Sequence, residues 1–455
     1  LTATLEDAAG NTATNDSSTV VTFGQASGLG SVTGAGTATV AWTGASWDGQ
    51  PVPAVSARAA SDGRTVAATF AAPELNTTGN GTLTLAGDQP FEVSATIAGL
   101  TLDPMRPWLP TPWDEATAQL SATLSATGQA RDPRATTTAT ATIDALTASL
   151  DEATLALDGS ARVVANSTSV TVDALRLRTG TLSAVVDGTL ATDTSAARPL
   201  TARVQGGLES LRPWADALGS PLPALSGSLD LQAQVAGTLE RPAPSATLAL
   251  TDVTVDVAGD PLRVATAAVR VRDGLATLDE TTATWRSGSA TIAARAPLRL
   301  LESLVPGDVA PWFGTAAGPA ELSARAADLQ IDLLEPFVGA EALENVSGTV
   351  SATLQARATG PTLADVSGRL TLDEARATLQ GIPLAQARPT VVTLSRGELR
   401  VDDALFSGAN TDLAVDGVAQ LTGDAPSLDA QLRGLTDLAL LQPFLDGIAP
   451  GGRAE

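Results

Sequence analysis

The sequence predicts an all-β protein with short interspersed helices, in which a long antiparallel sheet of repeated strands curls into a groove with an apolar interior. Three observations carry this expectation. Apolar and polar residues alternate one by one through segment after segment. A Pro-aromatic peptide returns four times at intervals of about 110 residues. The 455 residues are 44% hydrophobic but only 3% aromatic, and the apolar material is mostly Ala, Leu and Val. Many small apolar side chains and few large ones suit a long, shallow apolar surface better than several thick cores.

The alternation is clearest from Ser228 to Val235, where Leu229, Leu231, Ala233 and Val235 project to one face and Ser228, Asp230, Gln232 and Gln234 to the other. From Thr349 to Ala358, Val350, Ala352 and Leu354 share a face, opposite Thr349, Ser351, Thr353 and Gln355. The same parity groups Leu370 with Leu372, Leu399 with Val401, and Leu413 with Val415. Thr is abundant on the polar side, as a pleated, half-wet surface favours. Turn signals such as Asp187-Gly188, Asp273-Gly274, Arg396-Gly397 and Asp416-Gly417 punctuate the strands every 8–12 residues. One-sided strands following each other in this way read as an antiparallel sheet.

The longer period lies over this one. Pro107-Trp108, Pro213-Trp214, Pro336-Phe337 and Pro443-Phe444 each follow a strand ending in spaced apolar residues. They divide the chain into four units, 1–113, 114–220, 221–340 and 341–447, with a tail at 448–455. Pro at a first helical position with Gly soon after, as in Pro213 to Gly219, predicts a one- or two-turn helix after each proline. Trp108, Trp214, Phe337 and Phe444 are then the anchors that pin these helices to the sheet.

Composition removes much chemistry. There is no Cys, His, Tyr or Lys. A thiol nucleophile, a Ser-His triad, a conventional zinc, haem or iron–sulfur site, a Walker loop lysine and a Schiff-base lysine are all excluded. We therefore expect no catalytic residues, no metal site, no cofactor and no enzymatic activity. With 50 acidic against 27 basic residues and a net charge of −23, the chain repels phosphate backbones, so no nucleic-acid partner is expected. No run reaches the roughly 18 apolar residues of a membrane helix, and no signal peptide opens the chain, which reads as an internal fragment. The adjacent carboxylates Asp279-Glu280, Asp373-Glu374 and Asp402-Asp403 read as solvated turn charges, because neighbours on a strand point to opposite faces.

Gly274-Leu275 and Gly397-Glu398-Leu399, the Pro-Trp/Phe steps and the Ser226-Gly227-Ser228-Leu229 and Ser347-Gly348-Thr349-Val350 strand restarts resemble the repeats of the TamB and AsmA-like family of the diderm bacterial envelope. The resemblance implies a taco-shaped groove and a periplasmic protein anchored in the inner membrane by an N-terminal segment not present here. It implies movement of phospholipids between the two membranes. It also implies a link to outer-membrane protein assembly, through contacts with a barrel protein made by regions absent from this chain. The family's C-terminal domain and its N-terminal anchor have no match in the sequence.

Apolar faces left open to water cost about 25 cal/mol per Å², so phospholipid acyl chains are the expected partner of the groove. Its expected lining is Leu229, Leu231, Val235, Val350, Leu354, Leu370, Leu372, Leu399, Val401, Leu413 and Val415. The rival reading is a secreted structural or adhesive β-repeat stalk, like an autotransporter passenger, in which the same faces close into sealed cores.

Overall fold

The computed structural model describes residues 2–6, 12–16, 35–42, 46–47, 50–51, 53–192, 198–257, 259–300, 314, 316–334, 346–379, 382–408, 411–422, 427–437 and 453–454. Antiparallel strands make up most of them, and most pair with the strand next in chain order. The long antiparallel sheet with short helical turns is thus the observed fold class. The chain divides into two compact units, the first formed by Leu1–Gly206, Ser210–Leu222 and Gln234–Glu240, the second by Gly207–Glu209, Pro223–Ala233 and Arg241–Glu455.

In the first unit, Val55–Asp62, Thr65–Ala72, Thr77–Thr84, Pro90–Thr101, Thr117–Gln129 and Thr138–Leu150 form a meander. The next position holds a broken strand. Ala153–Leu157 and Ala161–Ala165 both lie between Thr138–Leu150 and Ser169–Thr179. Leu182–Ala191 and Leu200–Gly207 follow. The second unit runs through Pro242–Val257, Asp260–Arg272, Leu275–Trp285, Gly288–Pro297, Ala320–Gln330, Val346–Ala358 and Val366–Leu379. It has a broken strand of its own, Ile382–Gln386 and Thr390–Ser395, both between Val366–Leu379 and Glu398–Gly408. Thr411–Gln420 and Ser427–Asp437 follow, and Arg453–Ala454 pairs with the end of the latter.

Two of the four expected turns are tight hairpins. Asp273 and Gly274 have φ of 54° and 78°, and Arg396 and Gly397 have 51° and 76°, the double positive φ of a turn whose twist matches its strands. The other two are not turns. Asp187-Gly188 lies inside Leu182–Ala191, and Asp416-Gly417 inside Thr411–Gln420. Each sits opposite a β-bulge on the neighbouring strand: the register shifts between Val172 and Leu175, and between Val401 and Ala404.

Those bulges also correct the reading of the paired carboxylates as turn charges. Asp279-Glu280, Asp373-Glu374 and Asp402-Asp403 stand in strand interiors, where the register slips between Leu278 and Thr281, opposite Ser351/Ala352, and between Val401 and Ala404. Further slips fall at Gly99, Asp144 and Ala327-Asp328. Asp is suited to this place because its short polar side chain tolerates the left-handed backbone that a bulge requires. Asp328 and Asp403 have φ of 50° and 53°. The neighbouring strand caps the bulge: the Asp328 N–H donates to Ser351 Oγ at 3.0 Å and the Asp403 N–H to Asp416 Oδ1 at 2.8 Å. Asp328→Val should cost about 1–2 kcal/mol through the strained φ, whereas Asp328→Gly should be nearly neutral. Chemical denaturation of the two variants checks this difference.

The scarce aromatics face glycines across the sheet. Phe70 pairs with Gly79, Phe91 with Gly128 and Trp285 with Gly288. The Phe70 and Phe91 rings lie against the backbone that Gly79 and Gly128 leave bare.

Helical turns are short. The helix expected after Pro107 instead ends there, as a 3-10 turn Asp103–Trp108 entered through Pro104, and Trp108 is 40% exposed. Pro104, not Pro107, supplies the preset φ at the first turn. The second is an α-helix, Arg212–Ala217, with Pro213 at its start. Trp214 packs on a small buried cluster of Ala116, Leu150 and Ala217, and its indole N–H donates to Thr179 Oγ1 at 2.8 Å. Phe337 and Phe444 lie outside the described residues.

Candidate functional site

Directly opposed residues on paired strands share a face, so the register of the second unit decides which side chains form a surface. One row reads Leu248, Val269, Leu278, Ala294, Leu322, Ala356, Gly368, Leu394, Leu399 and Ala419, each opposite the next. A second row, two residues along, reads Ile292, Ala324, Leu354, Leu370, Val392, Val401 and Gly417. The apolar face is therefore an unbroken ladder running from strand to strand.

Bulges preserve it. After Asp373 the face continues with Ala375, opposite Val350, and after Asp402-Asp403 with Ala404, opposite Val415. Without the extra residue, each strand would turn its apolar set to the other side.

Leu354, Leu370 and Val401 fall in the second row and Leu399 in the first. Leu372 stands between Ala352 and Thr390, and Leu413 opposite Phe406. Leu229, Leu231 and Val235 are carried by the strand Leu225–Gly237. All eleven expected lining residues are half-buried, neither sealed nor fully open. The buried apolar residues are mostly alanines, of which Ala352 and Ala404 lie on this same face; the larger ones are Leu150, Leu182, Leu208, Val253 and Trp285. A Gln386–Thr390 hydrogen bond of 2.9 Å is a polar point at one margin of the face.

The other face is charged and hydroxylated. Arg270, Thr277, Arg295, Glu321, Arg357, Ser367, Ser395, Glu398 and Gln420 form one row. Glu321 accepts from Arg295 at 2.7 Å and from Arg357 at 2.6 Å. The Arg357 hydrogen bond, with the positive field of both guanidiniums, holds its carboxyl below the usual range. Exposed pairs of this kind contribute little to stability, because water screens them. The Arg270 row and the neighbouring row of Ser323, Gln355 and Arg369 border a cavity of about 790 Å³. Smaller concavities, of about 360 and 280 Å³, lie along the same face.

One corner is built more densely. Trp285 is 1% exposed, and the Arg286 guanidinium stacks on its ring at 4.4 Å from the centroid. Arg286 Nε donates to Asp260 at 2.6 Å, and its Nη1 to Asp332 and Gln330. The side-chain hydrogen bonds to Asp332 and Asp260 raise the Arg286 pKa, and the Arg286 bond lowers that of Asp332. One residue thereby ties two hairpin turns and the 3-10 turn Ile331–Leu334. Nothing in the sequence reading singled it out; the signal was a Trp-Arg-x-Gly turn, with a large aromatic just before a bare glycine.

Comparison with protein-family models, with curated proteins and with solved structures finds no match to this chain. No helix among the described residues is long and apolar enough to cross a membrane.

Proposed function

We propose that this chain is a stretch of an intermembrane conduit, along whose apolar face phospholipid acyl chains travel through the periplasm of a diderm bacterium. One observation carries the reading. The central row of the ladder, from Leu248 to Ala419, crosses strand after strand without a polar interruption, yet no residue of that row is sealed, and Leu322 is 36% exposed. Sealed-core stalks bury such faces, since two packed sheets interdigitate across about 10 Å. A face that is apolar, continuous and half-open suits a guest that is itself apolar and continuous. Burying a methylene contributes about 0.8 kcal/mol, so an acyl chain gains along the row without needing a specific pocket. Headgroups stay in water, where their charge is cheapest.

In this reading the chain has no catalytic residue and no cofactor. The test is transfer of a phospholipid with a fluorescent acyl chain from donor to acceptor liposomes in the presence of the purified chain. Transfer should rise above the protein-free rate in proportion to protein. A rate equal to the protein-free control would sink the proposal.

A further inference from the structure

The cavity of about 790 Å³ on the charged face is unlike the rest of the molecule. The chain as a whole carries −23, yet Arg295, Arg357 and Arg369 line this cavity against a single acid, Glu321. Two rows border it: Arg295–Glu321–Arg357–Ser367 and Ser323–Gln355–Arg369. Along each strand the rows are two residues apart, about 7 Å, and their side chains rise from the same face. Glu321 occupies the inner ends of Arg295 and Arg357. Arg369, Gln355 and Ser367 make no side-chain hydrogen bond or ion pair among the described residues, and all three border the same space.

We propose that this cavity is a binding site for a phosphate ester. Donors face it from two parallel rows, so an anion between them is approached from both sides. A tetrahedral phosphate presents oxygens in both directions; a planar carboxylate does not. The volume exceeds what inorganic phosphate fills, so room remains for the organic part of an ester. The shared chemistry has two sources, a soluble phosphate ester or the headgroup of a phospholipid. The site lies on the face opposite the apolar ladder, so it goes beyond the conduit reading and stands or falls without it.

The test uses the full chain and two probes: glycerol 3-phosphate by calorimetric titration, and flotation with phosphatidylcholine vesicles with and without phosphatidylglycerol. Saturable binding is expected for glycerol 3-phosphate, for the increment that phosphatidylglycerol adds, or for both. The responding arm names the source. Arg369→Ala should weaken that binding about tenfold and Gln355→Ala by a few-fold, while Arg272→Ala, which removes the same charge elsewhere in the unit, leaves it intact. Arg369 is exposed, so its removal should not move the thermal midpoint. No titration heat together with no phosphatidylglycerol increment would overturn the proposal. So would either signal surviving unchanged in Arg369→Ala.

Discussion

Trp285→Ala is expected to destabilise the second unit by about 3–5 kcal/mol, the range for emptying a fully buried aromatic site. Among the described residues, Trp285 is the largest side chain almost wholly removed from water. Its loss also takes away the platform on which Arg286 stacks while that guanidinium holds Asp260 and Asp332. Collapse around the hole is limited, because Gly288, its partner across the hairpin turn, has no side chain to lend. Hydrogen exchange should show the loss first in Asp260–Arg272, Leu275–Trp285 and Gly288–Pro297, since a meander opens locally before it unfolds as a whole. Trp285→Phe separates the causes. The indole N–H finds no acceptor among the described residues, so Phe keeps most of the packing and removes an unsatisfied donor. It should cost far less than Ala. If Ala and Phe are equally mild, Trp285 is not the keystone of this corner.

Val392→Glu is expected to cut lipid transfer by at least about tenfold, because an ionised carboxylate would stand where acyl chains pass. Val392 lies between Leu370 and Val401, two of the expected lining residues. A charge moved there from water costs several kcal/mol unless it neutralises or recruits water. Its neighbour Thr393 is on the opposite face, between Arg369 and Arg400. Thr393→Glu places the same carboxylate beside two guanidiniums and should leave transfer close to wild type. Equal loss in both variants would mean that net charge or folding, and not the apolar face, is responsible. Protease resistance measured alongside distinguishes those two causes.

The strand alternation was legible because its period of two is set by backbone geometry alone, and runs such as Thr349–Ala358 keep it without a break. What misled was aspartate. Asp-x and Asp-Gly dipeptides serve hairpins and bulges equally well, since both need a residue that tolerates positive φ. Asp273-Gly274 became the first and Asp402-Asp403 the second, and no local pattern separates them. The distinction comes from the partner strand: Asp416 is there to accept the Asp403 N–H. Parity survived the error because residues on either side of each bulge were assigned separately. Leu399 with Val401 precedes the bulge, and Leu413 with Val415 is on the next strand. The charged-face cavity was illegible for a related reason. Arg295, Glu321, Arg357 and Arg369 are far apart in sequence, and only register brings them into adjacent rows.

Face-selective contact with lipid is the central claim, and photo-crosslinking in membranes tests it most directly. Crosslinkers replacing Leu354 and Leu413, on the ladder face, should capture phospholipid. Those replacing Asp402, on the opposite face beside Val391, and Asp412, the strand neighbour of Leu413, should not. Capture at 354 and 413 alone is the predicted result. Capture at all four positions alike, or at none while the protein remains folded, would contradict it.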